Sequence, residues 1–428
     1  MTASMRQIFR SIVQLGSGEI LARLCSIAII ILLGHRYGVF IVGVYSLGMT
    51  VAYYLQPVID FGLRHIGARL MAQYPQSVSE IMRRVQRRRL VMAAAALPLA
   101  LIYALLAKLP LDLKVWLALF SATGALYALS LDWAAWGREH LGLVGLSWAF
   151  VPFCILVSVV IGHPDSKQVL WRAMAGNAAG FVVLATVFRA WWKRHRPDDR
   201  EVIENLSEIG ESLAWRRTSI MGFSVIAVLA FSSIDMLMLG VMSNPEQVGL
   251  YSAAYRVLNQ VLVTYYLFTI VLYPRFARQS TADRIQMLRP LILLSLLGAG
   301  VVVATLIAVA RAPIMTILFG PQFRIATSLL LLLVWSIPFD FLTSYLSNAY
   351  IAWGMEKKVL RCTAAAAASN IVLNLIWIPR YGATAAAVNT LISYAIFLGS
   401  LALVGRSSKE LSVREQPGIS TLNYNCDL

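Results

Sequence analysis

The chain has 428 residues, 59% apolar and 14% charged, with a formal net charge of +16. A water-soluble domain carries about 45–50% apolar and about 25% charged residues, so a soluble enzyme or a soluble nucleic-acid-binding domain is excluded. What remains is a membrane protein whose positive charge has to be placed.

Reading from the N-terminus, Arg6 and Arg10 precede an apolar run in the manner of a signal peptide. The run itself holds Glu19 and Arg23, and no Ala-x-Ala site follows, so an uncleaved first span is expected. A bilayer needs about 20 apolar residues per helix. Twelve such runs occur, at 11–34, 39–62, 90–107, 115–137, 140–162 and 168–190, then 219–242, 249–273, 290–310, 325–352, 359–379 and 383–405. No soluble domain fits between them. The expected fold is an all-α polytopic membrane protein, with an N-terminal six-helix bundle over 1–190 and a cytoplasmic amphipathic linker over 191–218. A C-terminal six-helix bundle over 219–405 and a cytoplasmic tail over 406–428 complete it.

With both termini placed in the cytoplasm, the loops on that side collect 27 Lys and Arg and the opposite loops 8, with Arg23 and Arg256 inside spans. This is the positive-inside rule, and it accounts for the basicity without nucleic acid.

Two phrases recur in order. Leu33-Gly34 and Gly43-Val44-Tyr45-Ser46 return as Leu239-Gly240 and Gly249-Leu250-Tyr251-Ser252, an offset of 206. Ala135-Trp136-Gly137-Arg138-Glu139 returns as Ala352-Trp353-Gly354-Met355-Glu356, an offset of 217. Two collinear matches with similar offsets indicate a duplicated half. Six spans per half return the chain to the same side, so the halves are expected to be related by an axis along the membrane normal, with a transport path between them. Tyr45 and Tyr251 are then expected at equivalent depths.

Chemical signatures are sparse. There is no Gly-Lys-Ser/Thr phosphate loop, no His-Glu-x-x-His and no Gly-x-Ser-x-Gly. Cys25, Cys154, Cys362 and Cys426 are not spaced as a metal or redox pair. The expected external loops are short, where an enzyme that polymerises glycans needs room for its chemistry. A transporter is expected, not an enzyme.

Ionisable groups inside spans are costly and by default suggest function. Glu19 and Arg23 lie four apart on one helical face, either neutralising each other or facing a water-filled cavity. Arg256 has no acid three or four residues away, with Asn259 and Gln260 just after it. It either reaches an acid on another helix, Asp235 being the first choice, or receives an anionic ligand, for which its guanidinium fork suits phosphate. Asp132, Asp235 and Asp340 are structural partners or coupling acids. Asp60 and Arg64 are expected to cap the second span together. Arg83, Arg84, Arg87, Arg88 and Arg89 alternate with apolar residues over 78–90, as in a basic interfacial helix. Apolar residues at helical spacing over 201–215 suggest a helix lying flat between the halves.

Asp235, Leu239-Gly240 and Val248-Gly249-Leu250-Tyr251-Ser252-Ala253-Ala254-Tyr255-Arg256 resemble the seventh-to-eighth span signature of polysaccharide flippases of the Wzx type. So do Ile317-Leu318-Phe319-Gly320-Pro321-Gln322-Phe323, and Asn370, Asn374 and Ile378-Pro379-Arg380-Tyr381-Gly382 before Ala385-Ala386-Ala387. In the first half, Tyr37-Gly38 through Gly43-Val44-Tyr45-Ser46 to Asp60-Phe61-Gly62-Leu63 is similar to the family's opening. The resemblance covers nearly the whole chain and departs at Ala385, where the family often has glycine. It implies the multidrug/oligosaccharidyl-lipid/polysaccharide exporter superfamily, whose two six-helix bundles enclose a V-shaped cavity opening alternately to each side.

The implied substrate is an undecaprenyl-diphosphate-linked oligosaccharide for O-antigen, exopolysaccharide or capsule assembly. The implied setting is the bacterial inner membrane, with a polysaccharide polymerase and chain-length proteins as further partners. On that reading Arg23, Arg256, Glu19, Asn259 and Gln260 are the diphosphate-site candidates. No cofactor is expected, and coupling to an H+ or Na+ gradient or to the membrane potential stays open. A multidrug or cation exporter of the same superfamily and a membrane glycan polymerase or glycosyltransferase are the alternatives.

Overall fold

The computed structural model describes residues 3–162, 164–195, 206–277 and 288–407. These residues are helical with short connections and no strand. Fourteen helices follow: α1 (Ala3–Asp60), α2 (Leu63–Gln73), α3 (Val78–Leu106), α4 (Leu111–Ala125), α5 (Asp132–Gly137), α6 (Leu141–Val160) and α7 (Ser166–His195) in the first half. After α8 (Leu206–Ser212), the second half has α9 (Trp215–Met242), α10 (Pro245–Ala277), α11 (Pro290–Phe319), α12 (Ala326–Val334), α13 (Ile337–Ala352) and α14 (Glu356–Ser407).

By length and hydropathy, eight of the described helical stretches can cross a membrane, or nine if the bent pair α12 and α13 makes one span. Two of the eight, Gln14–Asp60 and Glu356–Gly405, contain 47 and 50 residues, more than twice the roughly 20 a bilayer requires. Each is two helices joined at a non-helical glycine: Gly38 at φ 80° and Gly382 at φ 54°. The positive φ values are open to glycine without a Cβ clash. Large apolar side chains such as Leu291, Val309 and Leu106 stand exposed on the periphery, the arrangement expected of a bundle solvated by lipid.

The duplication is visible in the packing. A methyl group on Gly43 of α1 would collide with the carbonyl oxygen of Pro245, and one on Gly249 of α10 with the carbonyl oxygen of Val39. These positions are related by the 206-residue offset, so among the contacts between the two halves the one about this glycine pair is reciprocal. Close helix approach of this kind requires small residues. The second phrase marks a second correspondence. The stretch carrying Trp136 is broken into α4, a 3₁₀ turn (Leu126–Leu129) and α5, while the one carrying Trp353 is broken into α12 and α13, bent by 41°. Each break is followed by a buried acid in the first turn of the next helix, Asp132 and Asp340.

Two sequence expectations change. The basic segment 78–90 is no separate interfacial helix but the first turns of α3. Arg89 is fully buried there, because it falls on the inward stripe Val78, Ile81, Val85, Ala93, Ala96 and Ala100. The linker helix expected over 201–215 covers Leu206–Ser212, with 201–205 outside the described residues. It leans on the first half through the Tyr74 hydroxyl, which donates to Glu208 at 2.6 Å, and through Arg88, which donates to the Leu213 carbonyl. The tail beyond 407 also lies outside the described residues.

Candidate functional site

The first half gathers its charges near the end where α1 stops. At that point Phe61 adopts φ 35° and Gly62 φ 82°, so the chain turns out of the helix between Asp60 and Arg64. Their four-residue spacing is therefore not a helical one, and the expected Asp60–Arg64 cap does not form. Asp60 instead pairs with Arg89 at 2.9 Å and accepts a hydrogen bond of 2.7 Å from the Tyr127 hydroxyl. The Arg89–Asp60 contact is an ion pair by distance, without hydrogen-bond alignment. Arg89 also donates at 2.5 Å to the carbonyl of Ser130, which lies in the break between α4 and α5. A helix break leaves carbonyls without amide partners, and the guanidinium supplies a donor. Arg64 pairs with Asp132 at 3.0 Å, and Asp132 also accepts from Ser130 Oγ at 3.0 Å. Two cations and two anions thus compensate one another.

Glu19 and Arg23 form their own pair at 2.5 Å on α1, both partly exposed. A cavity of about 430 Å³ lies between the halves, lined by Tyr53, Gln56, Asp60, Arg64 and His65 on one side and by Leu229 and Ser232 of α9 on the other. A second, of about 330 Å³, runs into the first half, lined by Glu19, Tyr53, Gln56, Arg64, Trp148 and Asn177. The two share Tyr53, Gln56, Arg64 and Tyr127. Desolvation, reinforced by the Arg64 charge, pushes the His65 imidazole below its ordinary pKa.

The second half handles its acids differently. Asp235 is buried and accepts from Tyr251 Oη at 2.7 Å, Asn374 Nδ2 at 2.5 Å and Thr390 Oγ1 at 2.8 Å. Asn374 in turn accepts from Asn389 at 2.8 Å and donates to Asn370. Every group around the carboxylate is neutral, and no cation pairs with it among the described residues. The expected arginine partner for Asp235 is replaced by hydroxyls and amides. Asp340 likewise has the hydroxyls of Tyr394 and Ser344.

Arg256 lies half-buried on α10, seven residues and therefore two turns from Gly249, on the face that meets the first half. Its electrostatic neighbour is Tyr45 on α1. Among the described residues no acid lies within ion-pair distance of it. Asn259 and Gln260, one turn further along, are also half-buried. The structure thus brings Glu19 together with Arg64 and Asp132 beside one cavity and sets Arg256 apart, facing Tyr45.

Sequence reasoning missed Arg64, Arg89, Tyr53 and Gln56 as cavity or cluster residues. Arg89 carried a readable signal, its place on the apolar stripe of α3. Arg64 carried none, because the corner that redirects it is a tertiary feature.

A family model described as "Polysaccharide biosynthesis protein" matches residues 8–280. A probable low-salt glycan biosynthesis flippase, Agl15, of Haloferax volcanii is 24% identical over 180 residues, 41% of this chain and 38% of the relative. The match thus spans well under half the length of that curated relative. Among solved structures, the lipid II flippase MurJ in an inward closed conformation superposes with a TM-score of 0.68 at 13% identity, covering 93% of this chain and 88% of that one. An inward-facing multidrug resistance MATE family transporter of the MOP superfamily gives 0.66 at 13% identity, covering 94% and 98%. A MOP superfamily transporter from Pyrococcus furiosus, described as having a binding pocket of reverse polarity, gives 0.61 at 13% identity, covering 94% and 95%. At these identities the likeness is one of fold.

Proposed function

We propose, from the premise that the chain belongs to the polysaccharide biosynthesis protein family, that it turns a polyprenyl-diphosphate-linked oligosaccharide from the cytoplasmic to the outer face of a bacterial inner membrane. The single observation that carries the reading is Arg256. Arg23, Arg64 and Arg89 each hold an acid, and Arg256 holds none among the described residues. It sits on the helix face turned toward the other half, where a substrate path is expected. A guanidinium left without a counter-ion in a low-dielectric site is suited to a phosphate that brings the counter-charge, in bidentate geometry. Asn259 and Gln260 flank that seat, while Arg23, already paired with Glu19, is a secondary candidate.

On this reading the two long glycine-broken helices each cross twice, α10 crosses once and the bent pair once, giving twelve spans in two six-helix bundles. The ends of α1 and α7 face the cytoplasm, as do both termini. The mouth of the inter-half cavity beside Asp60 and His65 then opens on the side where lipid-linked glycans are made. Asp235 is the coupling acid: a buried carboxylate with only neutral neighbours favours a monovalent cation, H+ or Na+, as its counter-charge. O-antigen, exopolysaccharide and capsule are the pathways such a substrate serves.

The purified chain in nanodiscs should bind a polyprenyl-diphosphate disaccharide and not a cationic dye, as read by titration. Dye binding that outcompetes the lipid-linked sugar would favour a multidrug exporter instead.

A further inference from the structure

Tyr53 and Gln56 have no role in the ionic clusters. They lie three residues apart on the second helix of α1 and hence on one face, and both line both cavities. Tyr53 is 57% exposed. Neither the Tyr53 hydroxyl nor the Gln56 amide makes a hydrogen bond among the described residues. An amide and a phenol inside an expected membrane span are costly unless they serve something that enters the cavity. Across the inner cavity stand Trp148 and Asn177, the Asn177 amide nitrogen donating to Thr123 Oγ1 at 2.8 Å.

The charges around these residues are already compensated. Glu19 has Arg23, Arg64 has Asp132 and Asp60 has Arg89. Such a cavity offers no net attraction to a diphosphate or to a cationic drug. What it offers is an aromatic face and free amide donors and acceptors in a lining that is otherwise mostly apolar. A pyranose matches that set. One side of its ring is an apolar C–H face that an aromatic ring can cover. Its rim is a series of hydroxyls that each donate and accept, as a primary amide also does. Volumes of about 330 and 430 Å³ fall at the lower end of the roughly 300–1,000 Å³ typical of ligand pockets.

We propose that the adjacent cavities around Tyr53 and Gln56 form a pyranose subsite, in which a neutral sugar ring of the glycan lies against Tyr53 and bonds its hydroxyls to Gln56. This rests on the flippase reading above and assigns the glycan a place separate from the diphosphate. Tyr45, beside Arg256, and Tyr53 are eight residues apart on one helix, about 12 Å along its axis. A diphosphate held at Arg256 therefore leaves its sugars within reach of Tyr53.

The test uses the full chain in nanodiscs and two probes: bare polyprenyl diphosphate, and the same lipid bearing a neutral hexose disaccharide. Tyr53→Leu and Gln56→Leu change cavity-lining side chains that make no hydrogen bond or ion pair among the described residues. Folding is checked by monodisperse elution and by the thermal midpoint. Both variants should bind the glycosylated probe about tenfold more weakly than the native chain and bind the bare diphosphate as the native chain does. Unchanged binding of both probes would overturn the subsite and leave the diphosphate seat standing, and so would an equal loss for both probes. A native chain that binds neither probe would overturn the flippase reading, and the subsite with it.

Discussion

The two halves share a duplicated sequence and a reciprocal glycine contact, yet they treat buried charge in opposite ways. In the first half each acid beside the cavities carries an arginine: Asp60 with Arg89, Asp132 with Arg64 and Glu19 with Arg23. In the second half Asp235 and Asp340 carry only hydroxyls and amides, and Arg256 carries no acid among the described residues. Asp132 and Asp340 make the contrast sharpest, since both open the helix that follows a break in the corresponding span of their halves. Internal pairing leaves the first half's charges structural and neutral in sum. On the proposed reading, the second half's charges, having no ionic partner among the described residues, are the ones that answer an ion from outside. A duplicated scaffold can thus pair its buried acids with arginines in one half and hold them with neutral hydroxyls and amides in the other.

The largest expected effect breaks the first half. Arg89→Ala strands Asp60 in a buried site and should cost about 3–5 kcal/mol, seen as a fall in membrane abundance and thermal midpoint. The double variant Arg89→Ala with Asp60→Asn should recover most of that loss. Arg64→Ala should cost less, on the order of 2 kcal/mol, because the Arg64 side chain is 25% exposed and water can approach Asp132 once it is removed.

The second half should respond in the reverse manner. Asp235→Asn keeps the shape and removes a charge that no cation balances, so abundance and thermal midpoint should hold while transport falls by at least about tenfold. Transport measured in proteoliposomes under an imposed H+ or Na+ gradient reads this directly. Asp235→Asn with native transport would remove the residue from the coupling role.

The all-helical, membrane-crossing character was legible in the sequence because bilayer length and apolar runs are local quantities. The partners were not. Asp60 and Arg64 have the spacing of a helical pair, but the Phe61–Gly62 corner redirects Arg64 to Asp132, 68 residues away, and nothing local predicts that. Arg89 looked like one of five basic residues on a solvated face, although its register on the apolar stripe placed it inside. Tyr53 and Gln56 stood among many polar side chains in the apolar runs, and only the fold shows that these two line both cavities. Arg256 has no acid at helical spacing, and among the described residues the fold brings none within ion-pair distance of it.

The smallest expected effect concerns pH. His65 lines the cavity mouth with a pKa held below its ordinary value by desolvation and by Arg64. Its folded pKa lies below the unfolded value of about 6.5, so its contribution to stability is complete above that pH and is lost as pH falls through the folded pKa. His65→Gln should flatten that part of the thermal midpoint's pH profile and leave the profile at neutral pH unchanged.

The central claim is that Arg256 seats the diphosphate, and surface glycan in a cell lacking its own flippase tests it most directly, with each variant's membrane abundance measured alongside. Arg256→Ala should insert normally and export no glycan, while Arg256→Lys, which keeps the charge but not the fork, should export part of it. Native levels of surface glycan from Arg256→Ala at normal abundance would contradict the account.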